Sequence, residues 1–478
     1  MTVTNGLKSN KTTILVDLGG IFVHPPLNHK LTTAGSTISL GRVLSSSIWM
    51  DYEVGKLEED DCFQQVSVLF GFHEKDFRAM VSDLRETLTY DKHMLAVFRN
   101  LKTENPGVEI VLVSNISEPE YRALRRRWDS SFWETFDHIF TSWELGVKKP
   151  SLRFYQHVLR ATRASPHKTL FIDDQPENVL AAMSLGMRGI VGTDDLPRKL
   201  KNFVGNPVER GLAFLRQNAG RLFTTTSAGD TIDENYAQLL LLEATGDESL
   251  VDLKRPPRLW NFFSGKPKYT SHIYPDDMDS TALALTVLDY EPELAHSILD
   301  EMLNYVNEDG LIQVYTDRFR PRVDAVIALS VLVAFHKYDR GYELPQMLDW
   351  VYNILLHRAY MHGTRYYQSP EWVLYYAARL LRYSKDPSLR NRMEGLLRAR
   401  VAERVGAEGD AFCLGMRLLA CNFLGIENHP DKERLASMQQ EDGGWEASMM
   451  YLFPTDKKVV GNRGTTSALA VKALQGGL

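Results

Sequence analysis

Cysteine is scarce. Three residues of 478, Cys62, Cys413 and Cys421, cannot make a disulfide framework and fit a reducing compartment. No uncharged apolar run approaches the roughly 18 residues that a membrane-spanning helix needs. The start, Met1 to Lys11, is polar and lacks the apolar core of a secretory signal, so a cytoplasmic chain is expected. Positive charge is not in excess either. Fifty-five Lys+Arg against 61 Asp+Glu leave a net charge of −6, so no global field draws the chain to nucleic acid. What remains is ordinary globular composition, 44% apolar and 24% charged, in a chain long enough for two or three domains. These values exclude a secreted mini-domain, a disordered tail and an integral membrane protein. How the length is divided must come from the order of the residues.

The chain has two grammars. Up to about residue 205, short β-branched runs alternate with helical stretches. Ile14-Leu15-Val16 leads into Asp17 and Gly19-Gly20, and Val108 to Val113 leads into Ser114-Asn115. Leu170-Phe171-Ile172 leads into Asp173-Asp174, and Gly189 to Val191 follows a helix. Parallel strands of an open α/β sheet deliver polar residues to their carboxyl edge in this way. A mostly helical insert, about residues 27–100, is too long for a simple crossover and reads as a cap over the sheet edge.

After about residue 206 no strand is expected. Six segments share one pattern, a polar start and then an Ala/Leu-rich helix, beginning near Asp233, Asp279, Asp324, Glu371, Asp410 and Thr465. Each repeat has room for a second, more polar helix. Inner apolar helices in regular alternation with outer amphipathic ones imply an α/α barrel or solenoid, and six pairs favour closure into a barrel. Asp-Gly turns recur at Asp309-Gly310 and at Asp442-Gly443-Gly444-Trp445.

In the first half, polar residues at strand ends form a phosphoryl-transfer set. Asp17 would be the nucleophile on phosphorus. Ser114 and Lys149, with Asn115 beside them, would hold the phosphate oxygens. Asp17 and Asp174, with Asp173, would hold Mg2+, and Gly19 completes the candidate metal positions. One acidic strand end alone often merely starts a turn; four such groups in order are specific.

This set resembles the haloacid dehalogenase-like (HAD) superfamily, in the subgroup with a small helical cap. The resemblance covers about residues 12–200 through DLGGIFV (17–23), LVSN (112–115), GVKKP (146–150) and FIDDQPENV (171–179). It implies a Rossmannoid α/β domain with phosphatase activity. One position departs from the pattern: where most such phosphatases carry a second Asp as general acid, this chain has Gly19.

In the second half, Asp276, Asp277 and Asp279 crowd the start of an inner helix. Capping accounts for one carboxylate, not three. Repulsion and desolvation raise the pKa of at least one member, and a neutral Asp beside a dry cavity is an acid fit to protonate an alkene. Twelve aromatic residues between Phe335 and Tyr383 either fill a large core or present ring faces to a cation.

DMDST (277–281) resembles the DxDD/DxDTT proton-donor motif of class II terpene cyclases, and QQEDGGWE (439–446) resembles the repeat signature of the squalene-hopene cyclase relatives. The likeness spans about residues 206–478, one β domain without its usual γ partner. It implies Asp279 as proton donor and Asp277 as the residue that orients it. The whole chain is similar to drimane-type sesquiterpene synthases. That implies cyclisation of farnesyl diphosphate in the C-terminal barrel and removal of the diphosphate by the N-terminal domain, 1–205. The diphosphate needs cations at the barrel mouth, for which Lys266, Lys268, Lys457, Lys458 and Arg463 are candidates. Two other readings stand beside this one. One is a cyclase that stops at the bicyclic diphosphate, with the HAD domain as scaffold; the other is a HAD pseudoenzyme fused to a helical interaction module.

Overall fold

The computed structural model describes residues 11–33, 37–271, 273–453 and 457–477. The polar start, apart from Lys11, lies outside the described residues. The chain divides into two compact units, Met1–Val204 and Gly205–Leu478.

The first unit is built on five parallel strands: β1 (Thr12–Asp17), β2 (Val108–Ser114), β3 (His138–Thr141), β4 (Thr169–Asp173) and β5 (Arg188–Val191), in the spatial order β3-β2-β1-β4-β5. Burial on both faces explains their unbroken apolar runs. Ile14 and Val16 join one core cluster, with Phe98, Phe132 and Leu200 from helices on that side. Leu15, Val111 and Val113 join another, with Phe154, Val158 and Val179 from helices on the other. The central strands therefore end together, and their last residues, Asp17, Ser114 and Asp173, stand along one edge.

The cap differs in two ways from the helical insert expected over 27–100. It opens with a short hairpin, Lys30–Thr32 paired with Thr37–Ser39, before its four helices. It also ends sooner. Lys92–Glu104 places Met94, Leu95, Phe98 and Leu101 at helical spacing into the sheet core and belongs to the α/β body. The cap has its own core, built around Trp49, Phe63 and Phe77.

The second unit is a closed barrel. Its inner helices are α1 (Tyr236–Thr245), α2 (Met278–Val287), α3 (Ala325–Lys337), α4 (Glu371–Tyr383), α5 (Ala411–Leu424) and α6 (Arg463–Leu474). Each packs on the next, and α6 packs on α1, which closes the ring. Their apolar residues run all round the helix because every face is covered: in α3, twelve of thirteen residues are buried. Among the described residues, outer helices stand at Pro207–Gln217, Pro292–Leu303, Pro345–Leu356, Pro387–Ala402 and His429–Ser437, while the stretch between α1 and α2 has only a single 3-10 turn.

Strands do not vanish after residue 206, contrary to expectation. Tyr451–Phe453, Lys458–Asn462, Thr224–Thr226 and Thr231–Ile232 form a four-stranded antiparallel sheet. Strands of two to five residues, joined across more than 200 positions, leave no local periodicity to read.

Candidate active sites

At the sheet edge, Lys149 is buried between two carboxylates, with Nζ 2.7 Å from Asp17 Oδ1 and 2.7 Å from Asp173 Oδ2. Asp173 is held further by Gln175 N and Asn178 Nδ2, each 2.9 Å from Oδ1. Burial pushes the Asp17 carboxyl up to about 7; Lys149 beside it pulls the other way and Asp173 adds to the rise. Carboxylate oxygens of Asp17, Asp173 and Asp174 lie within 4.8 Å of one another. Such an oxygen-only donor set suits a hard divalent cation.

The glycines follow from this crowding. Gly20 takes φ +68, and a Cβ there would sit 2.3 Å from Asp174 Cγ, so only glycine lets the turn pass the metal-site candidate. Gly19 has no such constraint. A Cβ there meets only Asp17 Oδ2, at 3.9 Å, and the residue offers a metal nothing but its backbone carbonyl. A side chain would fit beside Asp17, and Gly19 brings none that could protonate a leaving oxygen.

Ser114 is buried and lines the same cavity. Asn115 has a different task from the phosphate contact expected of it. Its Nδ2 donates to Lys149 O at 3.0 Å and its Oδ1 accepts from Lys149 N at 2.9 Å, so the side chain clamps the lysine loop. From Asp17 a cavity of about 750 Å³ extends under the cap, walled by Leu27, Leu40, Leu44, Trp49, Val81 and Leu84. A polar edge thus opens onto a largely apolar chamber, whose wall also carries Glu53, Arg85 and Glu120.

The barrel cavity, about 310 Å³, lies at the N-terminal ends of α1 to α3 and beside the turn that precedes α4. Asp277 caps α2, its Oδ1 accepting from Ser280 N at 2.7 Å. Asp279 sits in the first turn, where Tyr367 Oη donates to its Oδ2. Its Oδ1 is buried without a partner among the described residues, as are Asp277 Oδ2 and Ser280 Oγ. The hydrogen bond that orients Asp279 comes from Tyr367, whereas Asp277 uses Oδ1 for the helix cap and keeps Oδ2 unpartnered. Desolvation pushes Asp277 up to about 8 and Asp279 up to about 7; Tyr367 pulls the latter back and Asp324, the cap of α3, pushes it further. Asp276 stands aside: its Oδ1 accepts from Asn261 Nδ2 at 3.2 Å.

Rings surround the acid. Tyr236, Phe262, Tyr274, Tyr315, Tyr451 and Phe453 line the cavity, with Tyr366 and Tyr367. Of the twelve aromatics between Phe335 and Tyr383, only these last two reach it. Most of the others fill core: Trp372 and Tyr376 are buried behind Tyr367, with the Trp372 ring 4.6 Å from the Tyr367 ring.

None of the five expected cations lines the cavity itself, although Lys458 lies beside Tyr269, which does. Arg463 makes two 2.7 Å bonds to Asp442, donates to Trp445 O at 3.1 Å and covers the Phe214 ring. Lys268 donates to Thr231 O at 2.6 Å, and Lys458 lies over the Tyr269 ring. Lys266 and Lys457 are exposed outside the cavity lining. The cavity is lined instead by Arg320, Arg322 and Arg365. The QQEDGGWE segment is structural. Gln439 Nε2 donates to Gly443 O and Pro207 O, both at 2.8 Å, and buried Trp445 Nε1 donates to Leu435 O at 2.7 Å.

Comparison with known proteins follows the same division. The family of haloacid dehalogenase-like hydrolases matches residues 42–186, and the sesquiterpene cyclase astC-like C-terminal domain matches residues 208–338. The chain is 37% identical over 466 residues to drimenol cyclase drtB of Aspergillus calidoustus, covering 97% of this chain and 88% of that protein. It is 35% identical over 194 residues to sesquiterpene phosphatase astK of Aspergillus oryzae, covering 40% of this chain and 95% of that protein. It is also 24% identical over 194 residues to D-ribitol-5-phosphate phosphatase of Bacteroides thetaiotaomicron, covering 36% of this chain and 87% of that protein. The chain belongs to the family of two-domain drimane-type sesquiterpene synthases, in which a HAD-like domain precedes a class II terpene cyclase β domain.

Proposed function

We propose that this chain cyclises farnesyl diphosphate to a bicyclic drimane-type diphosphate in its barrel and removes the diphosphate in its HAD-like domain, releasing a sesquiterpene alcohol of the drimenol or albicanol type. The observation that carries the first step is the buried, unpartnered Oδ1 of Asp279 in an aromatic cavity. Asp279 donates its proton to the terminal alkene. The chain then folds and closes two rings while the ring faces of Tyr236 and Phe262 stabilise positive charge without adding to it, and the bicyclic cation loses a proton from a neighbouring carbon to water or a base, leaving a neutral alkene. Water is kept from the acid side by the packing of Tyr367 against Trp372.

In the HAD-like domain the residues support phosphoryl transfer. Asp17 attacks phosphorus, the bond from phosphorus to the leaving oxygen breaks, and water then cleaves the aspartyl phosphate; repeated for the second phosphate, this frees the alcohol, while Lys149 and Ser114 steady the oxygens and the largely apolar chamber under the cap holds the hydrocarbon. Mg2+ bound by Asp17, Asp173 and Asp174 would neutralise phosphate charge. The two steps need opposite surroundings, a dry ring-lined cavity for the cation and a polar edge for hydrolysis, and each domain supplies one.

Incubation of the purified chain with farnesyl diphosphate and Mg2+, followed by extraction and mass spectrometry, tests the proposal. A bicyclic C15 alcohol is expected. Farnesol alone, or unchanged substrate, would refute it.

A further inference from the structure

The barrel cavity has two chemically different ends, and the acid occupies only one. Asp277 and Asp279 are buried, whereas Arg322 and Arg365 are exposed and Arg320 half-buried, on the lining of the same cavity. Two short segments bring the arginines together. One precedes α3. The other is the tight turn before α4, where Gly363 takes φ +70 and a Cβ would sit 2.5 Å from Tyr367 O. In that turn Thr364 N donates to Tyr367 O at 2.7 Å and Leu452 N donates to Tyr366 O at 3.0 Å, which fixes Arg365 beside the two cavity tyrosines.

Like charges gather at a cost unless something of opposite sign is received there. Arg320 is partly answered by Asp317 at 3.2 Å and donates to Ser271 Oγ at 2.8 Å. Arg322 donates to Tyr366 Oη at 3.1 Å. Arg365 has no ion pair among the described residues. Three guanidinium groups therefore face one carboxylate. From Tyr366 the hydroxyl contacts continue inward, to Tyr315 at 3.0 Å and from there to Tyr274 at 3.1 Å. The cavity thus grades from cationic at the opening, through phenolic, to acidic at the closed end.

We propose that Arg320, Arg322 and Arg365 are the seat of the substrate's diphosphate, an assignment that rests on the cyclase reading above. Planar guanidinium forks match phosphate oxygens and stay charged at any working pH. Anchoring the diphosphate at the open end sends the hydrocarbon inward, so the terminal alkene, and not the allylic end, meets Asp279 Oδ1. The arginines thereby choose which double bond is protonated.

The test uses the full chain carrying Asp17→Asn, so that the product read is the bicyclic diphosphate, with farnesyl diphosphate as substrate and inorganic pyrophosphate as competitor. Arg365→Ala and Arg322→Ala are each expected to raise KM about 10-fold or more, as loss of a charge-assisted bond does, with a much smaller change in kcat. Inhibition by pyrophosphate should weaken in parallel, and Arg365→Lys should recover part of the loss. Arg365, exposed and without an ion pair, is the variant least able to disturb the fold. Unchanged KM and unchanged pyrophosphate inhibition in both variants would overturn the assignment, as would a fall in kcat at constant KM. If the unsubstituted chain forms no bicyclic product at all, the cyclase reading fails and this assignment fails with it.

Discussion

An acid that protonates an alkene must still hold its proton at the working pH, and burial suits Asp279 to the role proposed for it by lifting it to about 7, with Asp277 lifted to about 8. The protonated form is the active one, so cyclisation should be sustained below about 7 and fall as pH rises through that range, read as kcat against pH. The same shift acts on stability. A carboxyl raised above its unfolded value costs stability as pH rises through the interval between the two values. Asp279→Asn should therefore raise the melting temperature more at pH 8 than at pH 5, while abolishing cyclisation at both. Tyr367 tunes this acid. Its hydroxyl donates to Oδ2, which leaves Oδ1 to carry the proton and steadies the carboxylate as it forms. Tyr367→Phe should lower kcat about 10-fold or more, yet move the alkaline limb to higher pH. A fall in kcat with the limb unmoved would make Tyr367 a packing residue only. Asp17 and Asp279 are legible in sequence because each ends or opens an element with a compact motif around it. Tyr367, Arg320, Arg322 and Arg365 are not legible, since they reach the cavity from loops whose course only the closed ring fixes. Arg463 and Lys266 misled for the reverse reason: they are near cavity segments in sequence while their side chains serve the fold or point to solvent.

At the scale of elements, the barrel depends on how its helices begin and on what ties inner to outer. Asp277, Asp324, Asp410 and Asn462 each cap an inner helix with a side-chain bond. Of the six polar starts in the sequence, Asp324 and Asp410 are such caps, while Asp279, Glu371 and Thr465 stand inside the first turn and Asp233 precedes α1; the Ala/Leu-rich runs after them make the six inner helices legible. The outer ring was less legible. Between α1 and α2 the expected outer helix is missing among the described residues, and the four-stranded sheet has no periodic signal at all. Buried ion pairs hold the rings together. Arg417 meets Glu371 at 2.7 Å and Asp431 at 3.1 Å, linking α5 to α4 and to the outer helix His429–Ser437. Arg417→Met would leave buried Asp431 without its cation and Glu371 with Arg404 alone, a loss of about 3 kcal/mol. The denaturant midpoint of the helical signal should fall accordingly, with Asp17-dependent phosphatase activity retained. In the HAD-like domain, Gly20→Ala should abolish phosphatase activity and leave cyclisation intact. Its Cβ overlaps Asp174 and the positive φ strains any side chain.

For the whole molecule, the division near residue 205 separates two chemistries that would spoil each other in one cavity. Water and a divalent cation serve the phosphate edge; a carbocation is quenched by either water or a nucleophile. The residues sort themselves accordingly. Among the described residues, the group of three carboxylates able to hold a metal is Asp17, Asp173 and Asp174, while the barrel opening presents guanidinium. Removing divalent metal with a chelator should therefore stop alcohol formation and let the bicyclic diphosphate accumulate, as seen by liquid chromatography and mass spectrometry. No helix among the described residues is long and apolar enough to cross a membrane. The most direct measurement is product analysis of the full chain carrying Asp17→Asn beside one carrying Asp279→Asn, each supplied with farnesyl diphosphate and Mg2+. The first should yield the bicyclic diphosphate and no alcohol, and the second neither bicyclic compound. Bicyclic alcohol formed by the first at the unsubstituted rate, or any bicyclic product from the second, would contradict the division of labour described above.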